Sequence, residues 1–308
     1  ATNDEQQQHQ QHQQQRWFPL ESNPTLINWY ISKMGYDTNS SSSSYEFVDV
    51  FSTEDWALDM VGQPVAAVML LYPLTKTQLQ NTPKDEQASE ALTTSSSSTN
   101  TSDVWFMKQR IGNACGTIAL IHALANLPDE VAEAGGLSLS ESSEPASSSA
   151  NQPPPPAAAV GSSLEEEEEE VDDEDTNNNA NSNTVKKMTW LQQFLKDTES
   201  LDPIQRAERL ESDVDIATMH DTATSSLVNA TGRGEINDDV ETHFIALVES
   251  NGVLYELDGR KGGPIPHGPT TPTTLLKDAC QNVVRKKFMN RDPTEVRFAI
   301  TALSPKKK

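Results

Sequence analysis

The sequence predicts an α/β domain of the α+β kind, with a central, largely antiparallel sheet flanked by helices. Three observations carry this. Residues 242–249 and 253–257 are apolar strands joined by Asn251-Gly252, the dipeptide that a type I′ hairpin turn favours. Residues 65–72 form an unbroken apolar run of strand length, as expected of a strand covered on both faces. Segments of helical periodicity separate the strand candidates without a regular βαβ repeat, which favours antiparallel pairing beneath helices.

The remaining elements follow in order. Residues 1–15 contain eight Gln and are expected to be a disordered tail, because such tracts bury too little to offset chain entropy. Order is expected from Arg16-Trp17-Phe18-Pro19-Leu20. Asn23 then caps a helix with Pro24 in its first turn and Gly35 after its end, and Leu26, Ile27, Tyr30, Ile31 and Met34 form its inner stripe. The serines at 40–44 read as a loop tip, and residues 46–51 as a strand. Ser52-x-x-Asp55 resembles a capping box and predicts a short helix to Val61. Residues 80–103 are a polar loop.

Gln109 to Thr117 leads into an apolar helix running to Leu127, with Asn113 as its expected cap. Residues 129–185, rich in Ser, Pro, Asn and acid, read as a solvated low-complexity insert, tolerable because loop closure grows only logarithmically in cost. Thr189-x-x-Gln192 opens one helix and Asp202-Pro203 another, while residues 217–241 look polar and irregular. An amphipathic helix is expected over 272–289, with Leu275, Leu276, Ala279, Cys280, Val283, Val284 and Phe288 inward. Residues 296–303 form a closing strand, and 306–308 a basic tail.

Composition narrows the function classes. Apolar residues are 35% of the 308, a shortfall concentrated in the Gln-rich start and the insert. The formal charge of −23 is equally localised: residues 129–185 hold 15 of the 46 acids and no Lys or Arg, which leaves 31 acids against 23 bases elsewhere. That is an ordinary surface. Bases cluster only at 285–287 and 306–308, too little for a nucleic-acid interface. Two cysteines cannot make a disulfide framework, and no apolar run approaches the roughly 20 residues that span a bilayer. The start lacks a signal peptide's apolar segment, so a cytoplasmic or nuclear monomer is expected.

Cys115 is the candidate nucleophile. At a helix start, free N–H groups and the positive end of the dipole favour a thiolate. Gly116 removes a side chain beside the sulfur, leaving room for a substrate backbone. Gln109 brings a side-chain amide able to donate to an oxyanion, with the Cys115 backbone N–H as second donor. The plain alternative is a small buried hydrophobe at a helix start.

A thiolate needs a base. His243 opens the first hairpin strand and Asp258 follows the second, so a turn at Asn251-Gly252 makes them near cross-strand partners. Such a carboxylate would hold one imidazole nitrogen and leave the other for sulfur. The alternative is a local hydrogen bond without catalytic meaning. His122, seven residues along the helix, is about 10 Å from Cys115 and reads as a packing residue. His220, in an irregular loop, and His267, in a Pro/Gly turn, carry no signal. Cys280 falls in a buried stripe. No His/Cys/acid cluster has metal-ligand spacing, and no glycine loop cradles phosphate, so neither metal nor cofactor is expected.

These residues resemble the ubiquitin C-terminal hydrolases, the UCH-type cysteine peptidases, closest to the short single-domain members. The matching text is Arg16-Trp-Phe-Pro-Leu-Glu-Ser-Asn-Pro24, Glu46-Phe-Val-Asp-Val50, Gln109 to Asn126, His243-Phe-Ile-Ala-Leu-Val248, Leu254-Tyr-Glu-Leu-Asp-Gly-Arg-Lys261 and Phe288-Met-Asn-Arg-Asp-Pro293. The resemblance implies a papain-like fold with a knotted chain path, over a single domain at 16–305. Gln109 matches the oxyanion glutamine, Cys115 the nucleophile, His243 the general base and Asp258 its orienting residue. Residues 213–241 match a crossover loop over the active site, which restricts release to small adducts and unstructured peptides. The implied partner is ubiquitin or a related modifier. Two other classes stay open: a ubiquitin-binding or storage module with little turnover, and an acidic protein that acts through residues 129–185 on basic partners such as histones.

Overall fold

The computed structural model describes residues 15–39, 44–80, 104–137, 187–225, 236 and 240–306. The Gln-rich tail up to residue 14, most of the serine tip, nearly all of the 80–103 loop, the greater part of the acidic insert, part of the crossover segment and the last two lysines lie outside the described residues.

The chain opens with an anchored segment: Trp17 N–H donates to Gly112 O at 2.9 Å, and Gly112 N–H to Gln15 O at 2.8 Å. Helix α1 (Pro24–Met34) starts as its sequence dictates, with Asn23 Oδ1 accepting from Thr25 and Leu26 N–H, and it ends at Gly35 in the left-handed region. Strand β1 (Tyr45–Asp49) follows. The helix expected from Ser52 to Val61 is only α2 (Asp55–Leu58), because the backbone beyond it tightens, with Met60 N–H donating to Ala57 O and Val61 N–H to Leu58 O. Strand β2 (Ala67–Pro73) and helix α3 (Lys76–Gln80) come next.

Helix α4 (Cys115–Ala125) is buried along its first ten residues, as an all-round apolar helix must be. Helix α5 (Asp129–Ala134) corrects the expected start of the insert: Val131 and Leu137 are buried in the main core, so ordered packing continues to Leu137. Helices α6 (Trp190–Thr198) and α7 (Pro203–Glu211) both open on complete capping boxes, at Thr189/Gln192 and Asp202/Gln205.

A second correction concerns the polar segment. Residues expected to be irregular form α8 (Val214–Ser225), started by Asp213 Oδ1, which accepts from Asp215 and Ile216 N–H. Its buried face is Ile216, His220, Ala223 and Thr224, half of it polar, so hydrophobic periodicity could not reveal it.

Strands β3 (Thr242–Ser250) and β4 (Val253–Leu257) form the expected hairpin; Asn251 at φ 51 and Gly252 at φ 79 take the left-handed conformations of a type I′ turn. Strand β5 (Ile265–Pro269) pairs with β4. The amphipathic segment begins as α9 (Leu275–Lys277) and continues as a π-helix from Asp278 to Phe288. Its inward residues are the predicted ones. They recur in pairs at 275/276, 279/280 and 283/284, then at 288, a spacing longer than the 3.6-residue α period, which suits a wider turn. Strand β6 (Ala299–Pro305) closes the chain.

The six strands run in the order β1-β6-β2-β3-β4-β5, with every neighbour antiparallel. Alternation along β3 divides the core: Phe244, Ala246 and Val248 face α1, α4 and α6–α8, while Ile245 and Leu247 face the π-helix. Both layers explain why β2 and β3 read as continuous apolar runs. Among the described residues, no helix is long and apolar enough to cross a membrane.

Candidate active site

The three candidate residues come from separate elements and meet where the start of β3 and the end of β4 approach the start of α4. Cys115 is the first residue of α4, so its backbone N–H is one that no helical carbonyl reaches. Asn113 does not cap this helix as expected. It adopts φ 61, the cap position falls on Ala114, and no side-chain cap bond forms. A left-handed Asn tightens the turn that delivers Cys115 instead. Gly116 also has a different role from the one expected. A Cβ there would stand 2.9 Å from Leu20 and 3.3 Å from Phe244, so the glycine lets the N-terminal segment and β3 pack against the helix.

His243 lies at the start of β3, opposite Tyr72 of β2, whose ring it meets edge-on at 5.7 Å. Asp258 follows the last residue of β4. His243 donates from Nε2 to Asp258 Oδ1 at 2.6 Å, with both side chains almost fully buried. Asp258 Oδ1 also accepts Arg260 N–H at 2.9 Å. The second imidazole nitrogen, Nδ1, has no well-aligned hydrogen bond among the described residues, yet the Cys115 thiol lies close enough to interact with it. The hairpin thus ties one nitrogen to Asp258 and leaves the other without a bond among the described residues.

Electrostatics follow from that geometry. Burial works against the imidazolium, but the Asp258 carboxylate overcomes it and raises His243 to about 9. Asp258 is correspondingly held down at about 2, burial being outweighed by His243 and the Arg260 amide. Burial would raise the Cys115 thiol; the neighbouring imidazole and the Phe244 amide reverse this and lower it. Both shifts point toward the thiolate–imidazolium form.

Gln109 sits beside this group. Its Nε2 donates to Ile111 O at 3.1 Å, using one of two N–H groups, and its backbone N–H donates to Gly259 O at 2.7 Å. The stretch before α4 is therefore fastened to the turn that carries Asp258.

The other histidines sort themselves by contact. His122 accepts Met107 N–H at 3.1 Å and stacks on Phe106; burial pushes it down to about 4, so it stays neutral in the core. His220 is not in an irregular loop: from α8 it bonds Phe18 O at 2.7 Å and Thr117 Oγ1 at 2.8 Å. It ties the start of the expected crossover segment to the nucleophile's helix. His267 is likewise not a bland turn residue, since it lies on β5 and contacts Glu256 at 2.8 Å. Sequence reading missed Glu256, His267 and Lys261 as a cluster. The one available signal was Glu256 standing two residues before Asp258, on the same strand face. Cys280 is fully buried, and that burial pushes its thiol up to about 12.

Comparison with known proteins gives the family of the chain. Residues 17–171 and 175–289 match the family model described as ubiquitin carboxyl-terminal hydrolase, family 1. The chain is 33% identical over 290 residues to ubiquitin carboxyl-terminal hydrolase 3 of Arabidopsis thaliana, covering 94% of each protein. It is 32% identical over 292 residues to the human isozyme L1, covering 92% of this chain and 96% of that one. In structure it is similar to the Trichinella spiralis UCH37 catalytic domain bound to ubiquitin vinyl methyl ester, with a TM-score of 0.58 at 18% identity over 94% of this chain and 96% of that chain. The antiparallel sheet, the helix that begins at a cysteine and the match along most of its length lead to one assignment: this chain belongs to the ubiquitin carboxyl-terminal hydrolases, family 1, which are cysteine peptidases.

Proposed function

We propose that this protein is a deubiquitinating thiol hydrolase that frees small adducts or unstructured peptides from the C-terminal glycine of ubiquitin. The observation that carries the proposal is the 2.6 Å His243–Asp258 bond with the Cys115 thiol beside the remaining nitrogen. In this reading Cys115 Sγ attacks the glycine carbonyl carbon. The charge developing on oxygen is met by the Cys115 N–H and by the free N–H of the Gln109 amide. The carbon–nitrogen bond then breaks, and the leaving amine takes its proton from His243. Water next attacks the thioester, giving its proton to His243, and the sulfur–carbon bond breaks to release ubiquitin. Asp258 holds the imidazole in one tautomer through both halves.

Residues 16–137 and 187–305 act as one catalytic domain in this reading. Helix α8 begins the crossover segment, and His220 secures its base.

A ubiquitin amide with a fluorescent leaving group tests the proposal. The wild type should release fluorophore, and Cys115→Ala should bind ubiquitin without release. Tight binding with no release by the wild type would instead identify a ubiquitin-storing module.

A further inference from the structure

A second buried charged cluster adjoins the His243–Asp258 pair along β4 and the turn after it. Glu256, on β4 opposite Leu247, is buried, with one carboxylate oxygen accepting from Lys261 Nζ and the other from His267 Nε2, each at 2.8 Å. Burial alone would raise this carboxyl, yet His267 and Lys261 lower it, so it stays ionised. Glu256 precedes one turn, and its two partners lie at the turn's end and beyond it. Lys261 ends that turn, donating its N–H to Asp258 O at 2.9 Å, and His267 belongs to β5 beyond it.

The turn carries both halves of the proposed machinery. Asp258 Oδ1 takes the Arg260 N–H and the His243 imidazole, and Gly259 O takes the Gln109 N–H. Lys108, next to Gln109, donates its ammonium to the carbonyls of Arg260 and Lys261. A buried carboxylate is costly to desolvate, and apolar packing would fill the space more cheaply. What it adds is two fixed directions.

We propose that Glu256 is a positioning residue: by holding Lys261 and His267 at once, it sets the 258–261 turn and thereby both the imidazole and the oxyanion amide. This rests on the roles given above to Cys115, His243, Asp258 and Gln109. A displacement of these groups by a fraction of an ångström is felt mainly in turnover, since the reacting geometry, more than binding, depends on their placement.

The test is Glu256→Gln in the full chain, which keeps the shape but weakens both contacts. Expected are a fall in kcat of about 10- to 100-fold with KM for the ubiquitin amide nearly unchanged, and a shifted or broadened imidazole N–H proton resonance of His243. Lys261→Met, which frees only the end of the turn, should move both readouts in the same direction and less far. A folded Glu256→Gln protein with wild-type kcat and an unmoved His243 resonance overturns the proposal. So does a loss of activity that tracks the unfolded fraction alone. If the wild type releases no fluorophore, the catalytic reading fails, while the resonance comparison still decides whether Glu256 positions His243.

Discussion

Cys115 owes its lowered thiol to His243, the Phe244 amide and the Arg260 charge, against a burial that acts the other way. That balance makes Asp258 the residue to test. In Asp258→Asn the imidazolium loses its counter-charge, so His243 should titrate lower and Cys115 higher. The pH dependence of iodoacetamide alkylation at Cys115 should move upward, and kcat should fall by about 100-fold or more. An unchanged alkylation profile would mean that the carboxylate does not govern the thiolate. Gln109→Ala should lower kcat by about 100- to 1000-fold with little change in KM, as expected of a donor that acts on a transient charge; equal loss in binding would assign Gln109 to docking. At this scale the sequence was most informative. The His243–Asp258 contact was legible from the hairpin's turn, whose Asn251-Gly252 centre makes the two near cross-strand partners. The Asn113 cap was not, because an asparagine before a helix serves equally as a cap or as a left-handed turn residue.

Elements set the distances between those residues. The hairpin brings His243 to Asp258, and the Gln109–Gly259 backbone bond joins the stretch before α4 to the end of β4. Gly259 permits that approach: a Cβ there would stand 3.0 Å from Gln109 Cβ and 3.1 Å from both Gln109 N and Ile118 Cγ2. Gly259→Ala should therefore cost about 1–3 kcal/mol, read from thermal or urea unfolding, and should lower kcat beyond what the lost stability explains. Wild-type turnover in this variant would show that the contact is only packing. Capping residues made α1, α6 and α7 readable. Helix α8 was not, because His220 and Thr224 occupy its buried face and bond across to Phe18, Thr117 and its own backbone, contacts that no periodicity encodes.

For the molecule as a whole, the buried pair links stability to pH. His243 rises from 6.5 to about 9, so its contribution is complete below 6.5 and fades as pH climbs through 9. Asp258 falls from 3.8 to about 2, so its contribution is complete above 3.8 and is lost as pH drops through 2. The difference in Tm between the wild type and His243→Gln/Asp258→Asn should accordingly be widest from pH 3.8 to 6.5 and shrink on either side. A difference that is flat with pH would detach the pair from folding. The boundaries of the insert invite a second experiment. Gln192 Nε2 donates to Gly136 O at 2.9 Å, so the chain leaves and re-enters the domain at adjacent points. Replacing residues 140–186 with a short Gly/Ser linker should keep Tm and release of the ubiquitin amide within about twofold, because closing a loop depends weakly on its length. A collapse in either would place part of that segment in the working domain.

The sequence by itself determined most of the strands and the capped helices, the hairpin and its turn, and the residue kinds that make a thiol hydrolase, since these rest on local periodicity, backbone conformation and side-chain chemistry. Only the tertiary structure decided which imidazole nitrogen Asp258 holds, that α5 and α8 are helices, and that Glu256, Lys261 and His267 meet. Those depend on contacts between strands and helices far apart along the chain, where burial and charge act through space and leave no regular trace in the order of residues.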